Sequence, residues 1–180
     1  GLFDICMVEK PRAAFHRAMW NDEPMVRIAV RDNALDIDTG VTFGNGRTWR
    51  RYGISPAPYE GLVIEVNTTT NCERVALFHN GNEMGVRRTA DYPNHTITWC
   101  LPYRRGTLVA KGINGTDTVA VHEIRTAGDA VRLKAIADRG KLMADGQDLS
   151  YVQVELLDQD GTLVQHADRR VKAPLRARAV

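Results

Sequence analysis

Short strand-like segments separated by turn residues are the feature that most restricts how this chain can fold. Asn80–Gly81 separates two short apolar segments, and both residues tolerate the positive φ angles that a type I′ hairpin turn requires. Asn114–Gly115 and Asp160–Gly161 repeat this pattern farther along the chain. Because the strand-like segments recur about every ten residues, they favour short strands over long helices and predict an all-β fold of antiparallel strands.

The segments between these turns alternate apolar and polar residues, which is the period of a strand with one buried face. Four sets are predicted to point into a common core: Val26, Ile28 and Val30; Leu62, Ile64 and Val66; Val75 and Leu77; and Ile97, Trp99 and Leu101. The segments EMGVRR and TVAVHEI are predicted to return beside their neighbours as further strands. Together these strands predict an antiparallel β-sandwich over residues 22–125.

A short helix and a long loop depart from this pattern. Pro11 suits the first turn of a helix, and Phe15, Ala18 and Met19 then share one side, so a helix is predicted over Pro11–Trp20. The stretch Arg31–Ala57 is rich in Gly, Pro, Asp and Asn, which favours a loop.

The strand pattern restarts after the segment RTAGDA, which indicates a connection between two units. Val131, Leu133 and Ala135 then alternate with basic residues, and the segment YVQVELL follows. Residues 126–180 supply about half of the roughly 100 residues that an immunoglobulin-like domain requires. We therefore predict that a second sandwich begins there and is truncated.

Charge and hydropathy exclude two classes of partner. The chain carries 24 Lys and Arg against 22 Asp and Glu, a net charge of +2, which is not the concentrated positive charge of a nucleic-acid-binding protein. Arginine pairs such as Arg87–Arg88 and Arg104–Arg105 are either solvated loop ends or a basic patch for an acidic neighbouring domain. No apolar run reaches the roughly 18 residues of a membrane-spanning helix. Neither nucleic acid nor membrane is therefore a predicted partner.

The arrangement of metal-binding and catalytic residue types predicts no reactive centre. The three cysteines form no C-x-x-C pair, and the five histidines form no H-x-x-x-H pair. The segment DIDTG begins like a calcium loop but lacks the later glutamate. The carboxylates lie in loops or at outward strand positions. We predict no catalytic residue, no metal and no cofactor, and pairing between Cys72 and Cys100 is left open by the sequence.

Aromatic residues concentrate in the long loop and its flank. Trp49, Tyr52 and Tyr59 lie in one stretch with arginines between them. Exposed aromatic faces can stack on sugar rings, so these residues could form a carbohydrate-binding platform that recognises a glycan. The alternative interpretation is that they pack the sandwich against a neighbouring domain. Trp20 is predicted to fill the junction between the helix and the sandwich.

Four long segments occur in a characteristic order along the chain. They are TNCERVALFHNGNEMG, WCLPYRRGTLVAKGIN, RTAGDAVRLKAIADR and ADGQDLSYVQVELLDQDG. This order resembles the C-terminal region of glycoside hydrolase family 2, and it is most similar to bacterial β-galactosidase-like enzymes. The resemblance extends through nearly the whole chain, apart from the long loop and the last residues.

The resemblance implies that catalysis takes place on a (β/α)8 barrel outside these residues, with immunoglobulin-like sandwiches after it. Residues 1–21 would be the end of the barrel with its last helix, and the remainder would be non-catalytic. The barrel of the same polypeptide would be the partner, and the parent enzyme would hydrolyse β-galactosides with retention, in the periplasm or outside the cell. In this context Asn71 and Asn80 would shape turns and Cys72 would pack, whereas a carbohydrate-binding module using Trp49 is the alternative function.

Overall fold

A computed structural model of the chain describes residues 2–3, 9–31, 50–51, 61–143, 145–164, 167 and 169–173. Within these ranges the chain forms one α-helix, two short 3-10 turns (Thr89–Asp91 and Pro93–His95) and a series of strands. The helix is α1 (Pro11–Trp20), and the strands are β1 (Val26–Arg31), β2 (Arg50–Arg51), β3 (Val63–Thr70), β4 (Arg74–His79), β5 (Asn82–Arg88), β6 (Thr96–Pro102), β7 (Thr107–Asn114), β8 (Asp117–Arg125), β9 (Arg132–Ala137) and β10 (Val152–Leu157).

Two four-stranded antiparallel sheets enclose the core. The first sheet has the strand order β2-β1-β3-β6, and the second has the order β5-β4-β7-β8. The buried core residues come from both sheets, and Trp99 and Tyr103 are the largest of them, each 1% exposed. The indole N–H of Trp99 donates to Thr68 Oγ1 at 2.9 Å, so its polar atom is satisfied inside the core. The predicted antiparallel β-sandwich is confirmed.

Alternation predicted the inward faces correctly at every position but one. Val26, Ile28 and Val30 are all buried, as are the predicted residues of β4 and β6. Leu62 was expected beside Ile64 but is 57% exposed. It lies before β3 in a bend, where its carbonyl accepts from Tyr103 N, so the strand alternation does not yet apply to it.

The Asn80–Gly81 turn has the predicted geometry. The φ angles are 51° at Asn80 and 80° at Gly81, both in the left-handed region that a type I′ turn requires. The second hairpin forms as well, but its turn is one residue later than the Asn-Gly signal. Asn114 pairs with Asp117 as the last residue of β7, and only Gly115 within that turn has a positive φ.

Strands β9 and β10 form a separate two-stranded ribbon. One face of the ribbon is apolar, because Leu133 pairs with Leu156 and Val154 pairs with Ala135. Leu133 and Val154 are 50% and 46% exposed, so this face is open in the part of the chain that the structure describes. An isolated ribbon of two strands is marginally stable in water, and the predicted truncation of a second sandwich stays a prediction.

Hydrogen bonds hold both ends of the predicted connection between the two units. Thr126 N donates to Gly106 O at 2.8 Å, and Gly128 N donates to Asp158 Oδ2 at 2.8 Å. Asp158 is 4% exposed, and its other carboxylate oxygen accepts from Thr162 N at 2.8 Å. The N–H of Gly128 in particular holds the pKa of Asp158 below its usual value, although burial acts in the opposite direction.

On each side of the sandwich, one side chain of the second sheet contacts an edge of the first sheet. Arg87 Nη1 donates to Thr98 O at 2.5 Å and lies over the ring of Trp99. On the other side, His122 Nδ1 accepts the N–H of Ile28 at 3.1 Å. These contacts satisfy backbone groups that an edge strand would otherwise leave unpaired.

We expect the His122 contact to make stability depend on pH. Burial, together with the charge of Arg27, lowers the pKa of His122 from 6.5 to about 4. Between these values the unfolded chain binds a proton that the folded chain excludes, so the free energy of unfolding falls as pH is lowered from about 7 to about 4. Because solvent screens a half-buried ring, we expect a loss of about 1 kcal/mol, well below the full value of the shift.

Urea titrations across this pH range measure the effect, with His122→Asn as the matched variant. Asparagine keeps an acceptor for the Ile28 N–H but does not titrate, so the slope of stability with pH should be shallower by the His122 contribution. The other histidines are present in both proteins and cancel in the comparison. Identical slopes in the two proteins would contradict the prediction.

Candidate functional site

Residues Thr70–Glu73, here called the latch, connect three separate parts of the fold. Asn71 makes the longest-range contacts. Its Oδ1 accepts from Met25 N at 2.7 Å, and its Nδ2 donates to the carbonyls of Asn21 and Glu23, each at 2.8 Å. One side chain therefore satisfies three backbone groups in the connection between α1 and β1. The turn-forming role predicted for Asn71 is not its main contribution, because its side chain acts on a distant segment.

Thr70 and Cys72 close the same junction from within the core. Thr70 Oγ1 donates to Met25 O at 2.6 Å and accepts from Cys72 N at 3.0 Å. Cys72 is 1% exposed, and its Sγ lies 3.6 Å from Met25 O. Thr89 Oγ1 donates to Cys72 O at 2.5 Å, which ties the end of β5 to the latch. The predicted packing role of Cys72 is confirmed.

Glu73 connects the latch to the hairpin between β7 and β8. Its backbone N–H donates to Asn114 Oδ1 at 2.9 Å, and its Oε2 accepts from Gly115 N at 2.9 Å. Asn80 has a similar structural role at the other end of β4, where its Oδ1 accepts from Thr107 N at 2.7 Å. The segment from Thr70 to Asn80 thus holds several parts of the fold together, because its polar side chains form hydrogen bonds with backbone groups.

The latch positions α1 against the sandwich. Ala14 and Ala18 form a small buried cluster with Met25, and the helix contacts β3. The end of the helix is exposed, because Met19 is 48% and Trp20 is 78% exposed. The prediction that Trp20 fills the junction is therefore wrong within the described residues. Ala residues provide the buried side of α1, which lets the helix lie close to the sheet.

We call His16, Met19 and Trp20 the helix-end surface. The rings of His16 and Trp20 lie 4.9 Å apart, so the exposed indole is supported from one side. Apolar side chains exposed at the end of a fixed helix are typical of a surface that packs against another domain. This surface can therefore bind a partner through the burial of apolar side chains.

Three of the predicted residues cannot be placed. Trp49, Tyr52 and Tyr59 lie outside the described residues, as does the DIDTG segment, so the carbohydrate platform stays a prediction. Among the described residues no group of three or more His, Cys, Asp or Glu side chains could hold a metal ion. None of the helices that the structure describes is long and apolar enough to cross a membrane.

Two cysteines and two strand carboxylates named from the sequence have defined surroundings in the structure. Cys72 and Cys100 are both free thiols, the first buried and the second exposed on β6. Glu65 accepts from Asn67 Nδ2 at 2.9 Å, and Glu155 lies 3.7 Å from Lys134 Nζ. Both carboxylates thus contact side chains of the strands around them.

Sequence reasoning did not identify the latch as a connecting device. The contacts of Asn71 join residues 46 to 50 positions apart, and no local pattern contains that information. The available signal was the presence of Asn71 and Glu73 in the three-residue link between β3 and β4. Side chains that can both cap a turn and reach a neighbouring backbone are common at such points.

Comparison with known proteins gives two matches to family models. Residues 61–120 match a model described as a domain of unknown function, DUF4982. Residues 133–179 match a model described as glycoside hydrolase family 2 C-terminal domain 5. The first match ends within β8 and the second begins within β9, so the connection between these strands lies between them.

Individual relatives agree with these matches. The chain is 38% identical over 99 residues to beta-galactosidase BoGH2A of Bacteroides ovatus, which covers 55% of this chain and 12% of the relative. A crystal structure of a glycosyl hydrolase family 2 member from Bacteroides cellulosilyticus has a TM-score of 0.81 and 30% identity, covering 93% of this chain and 22% of the other. A family 2 β-glucuronidase structure at 20% identity shares the fold, with a TM-score of 0.69 over 91% of this chain and 15% of the other. The chain therefore spans less than a quarter of the length of these proteins.

Proposed function

Because this chain belongs to the C-terminal region of glycoside hydrolase family 2, we propose that it is a non-catalytic accessory part of a longer glycosidase. The observation that carries the proposal is the helix-end surface, an apolar face on a helix that the latch fixes to the sandwich. On this proposal residues 1–21 end the catalytic barrel, residues 22–125 form an immunoglobulin-like domain, and residues 126–180 begin a second one.

The accessory role is mechanical. Met19 and Trp20 pack against the catalytic domain, and Asn71 holds their helix in a fixed position relative to both sheets. Burying a Met or Trp side chain stabilises a packed interface by roughly 1.5–3 kcal/mol each, which is sufficient to couple the stability of two neighbouring domains. The sandwich then limits how far the last helix of the barrel can move.

The reaction of the longer protein is hydrolysis of an O-glycosidic bond with retention of configuration. Retaining glycosidases use two carboxylates about 5 Å apart, and the proposal places both outside this chain. β-Galactosides are the proposed substrate class, supported by the name of the Bacteroides ovatus relative. The longer protein should therefore cleave a chromogenic β-galactoside faster than the matching β-glucuronide.

The first test is activity of the isolated chain. We expect no hydrolysis of chromogenic β-galactosides, β-glucosides or β-glucuronides above the buffer rate, because the proposal places the pair of carboxylates that the reaction requires outside this chain. A rate that scales with the concentration of the purified chain and disappears on heat denaturation would overturn the non-catalytic role.

The second test is the protection of methionines from peroxide. Met19 lies on the helix-end surface and is 48% exposed, whereas Met84 lies on β5 and is 38% exposed, so they are a matched pair within one chain. Exposed methionine sulfur oxidises readily, and burial slows the reaction. In the longer protein we expect Met19 to oxidise several-fold more slowly than in the isolated chain, with Met84 unchanged. Unchanged oxidation of Met19 would overturn the docking role of α1.

A further inference from the structure

The hairpin between β7 and β8 has a chemical feature that its structural role does not require. Asn114 is half-buried at the end of β7, and Gly115 is exposed with a φ of 58°. Apart from the neighbouring residues in the chain, no atom lies within 4 Å of the position that a Cβ on Gly115 would take, so this side of the glycine is not crowded. In an Asn-Gly pair the backbone nitrogen of Gly can attack the side-chain carbonyl of Asn without hindrance from a side chain.

Glu73 contacts both groups that take part in such an attack, the backbone N–H of Gly115 and the side-chain carbonyl of Asn114. Its Oε2 accepts the N–H of Gly115 at 2.9 Å, within the range in which a carboxylate can act as a general base. Its own backbone N–H donates to Asn114 Oδ1 at 2.9 Å, which polarises the carbonyl that would be attacked. One residue thus activates the nucleophile and the electrophile of the same pair.

Arg74 contacts the peptide group that follows the nucleophile. Its Nη2 donates to the carbonyl oxygen of Gly115, which belongs to the peptide between Gly115 and Thr116. This contact restrains the turn after Gly115, whereas the attacking nitrogen itself is contacted by Glu73.

We propose that Asn114–Gly115 is a self-modification site in which Glu73 promotes deamidation. The Gly115 nitrogen loses its proton to Glu73 and bonds to the Cγ of Asn114, and the amide nitrogen of the side chain leaves as ammonia after taking up a proton. The resulting succinimide is opened by water at one of its two carbonyls. The product at position 114 is aspartate or, with the backbone lengthened by one carbon, isoaspartate.

Asn80–Gly81 is an internal control with the same two residue types. The side chain of Asn80 is held at both ends, because Oδ1 accepts from Thr107 N at 2.7 Å and Nδ2 donates to Arg105 O at 3.0 Å. Its φ of 51° belongs to a closed type I′ turn. Both contacts must break before the amide can approach the following nitrogen, and within the described residues no carboxylate contacts Gly81 N, so Asn80 should persist while Asn114 reacts.

Peptide mapping by mass spectrometry of the purified folded chain, stored near neutral pH, tests the proposal. We expect Asn114 to deamidate at least about tenfold faster than Asn80, and faster than the same asparagine in a synthetic peptide of residues 110–119. Glu73→Gln is the matched variant, since its side-chain oxygen can still accept from Gly115 N but cannot act as a base. It should slow Asn114 at least about tenfold and leave Asn80 unchanged.

Several results would overturn the proposal. They are equal rates at the two Asn-Gly pairs, a slower rate in the folded chain than in the peptide, and an unchanged rate at Asn114 in a folded Glu73→Gln variant. If that variant does not fold, the comparison of the folded wild-type chain with the peptide still decides the outcome, because the peptide lacks Glu73.

Discussion

Replacing Asn71 with alanine should lower the free energy of unfolding by about 3 kcal/mol, because each buried backbone group left unsatisfied costs about 1–3 kcal/mol. The substitution removes the acceptor for Met25 N and the donors to the carbonyls of Asn21 and Glu23. Part of this junction is exposed, and water can replace some of the lost bonds, which keeps the expected cost below the sum of three full penalties. Urea-induced unfolding followed by tryptophan fluorescence measures the change.

Asn71→Asp separates the role of this side chain as a hydrogen-bond acceptor from its role as a donor. A carboxylate keeps the acceptor for Met25 N but removes the N–H groups and places negative charge beside two carbonyl oxygens. We expect a loss of stability similar to that of the alanine variant, since the donor contacts are the more numerous. A cost below about 0.5 kcal/mol for Asn71→Ala, the range of ordinary surface substitutions, would show that the latch does not hold the α1–β1 junction.

The same substitution connects stability to the proposed function. If Asn71 fixes the helix-end surface, then Asn71→Ala in the longer protein should increase the oxidation of Met19 while leaving Met84 unchanged. The helix would still be present, but its position relative to the sheets would no longer be held by three hydrogen bonds. Loss of protection at both methionines would indicate global unfolding instead of release of the helix.

The strands and hairpins were predictable because their signals are local. Alternation over five or six residues determines which side of a strand is buried, as at Ile28 and Trp99, and the Asn80–Gly81 turn depends on the backbone preference of two residues. Leu62 shows the limit of this reasoning, because alternation cannot indicate the residue at which a strand begins.

The orientation of α1 and the function of the latch were not predictable in the same way. Met19 has the helical spacing of a buried residue, yet Ala14 and Ala18 form the buried contact and Met19 is exposed. Which side of a short amphipathic helix is covered depends on the surface that it meets, and that surface comes from β3, more than forty residues later. The contacts of Glu73 with the β7–β8 hairpin likewise join distant parts of the chain.

The second large loss of stability is expected where β7 lies close to the latch. Gly112 is buried opposite Val75, and a Cβ at this position would lie 2.6 Å from Cys72 Sγ and 3.3 Å from Ala120 Cβ. Gly112→Ala should therefore lower the free energy of unfolding by about 2 kcal/mol, within the usual cost of overpacking a core. Its φ is not in the left-handed region, so the expected cost comes from the contact with Cys72.

A double-mutant cycle tests whether the cost of Gly112→Ala comes from the contact with Cys72. Cys72→Ala alone removes one buried sulfur and should cost about 1 kcal/mol. In the double variant the new methyl group would still meet Cys72 Cβ and Ala120 Cβ, each at 3.3 Å, but it would partly fill the space that the sulfur leaves. We expect the double variant to be more stable than the sum of the two single effects by about 1–2 kcal/mol, which is the range found for residues in contact. Strict additivity would show that Cys72 Sγ turns away at little cost, and that the glycine is required for another reason.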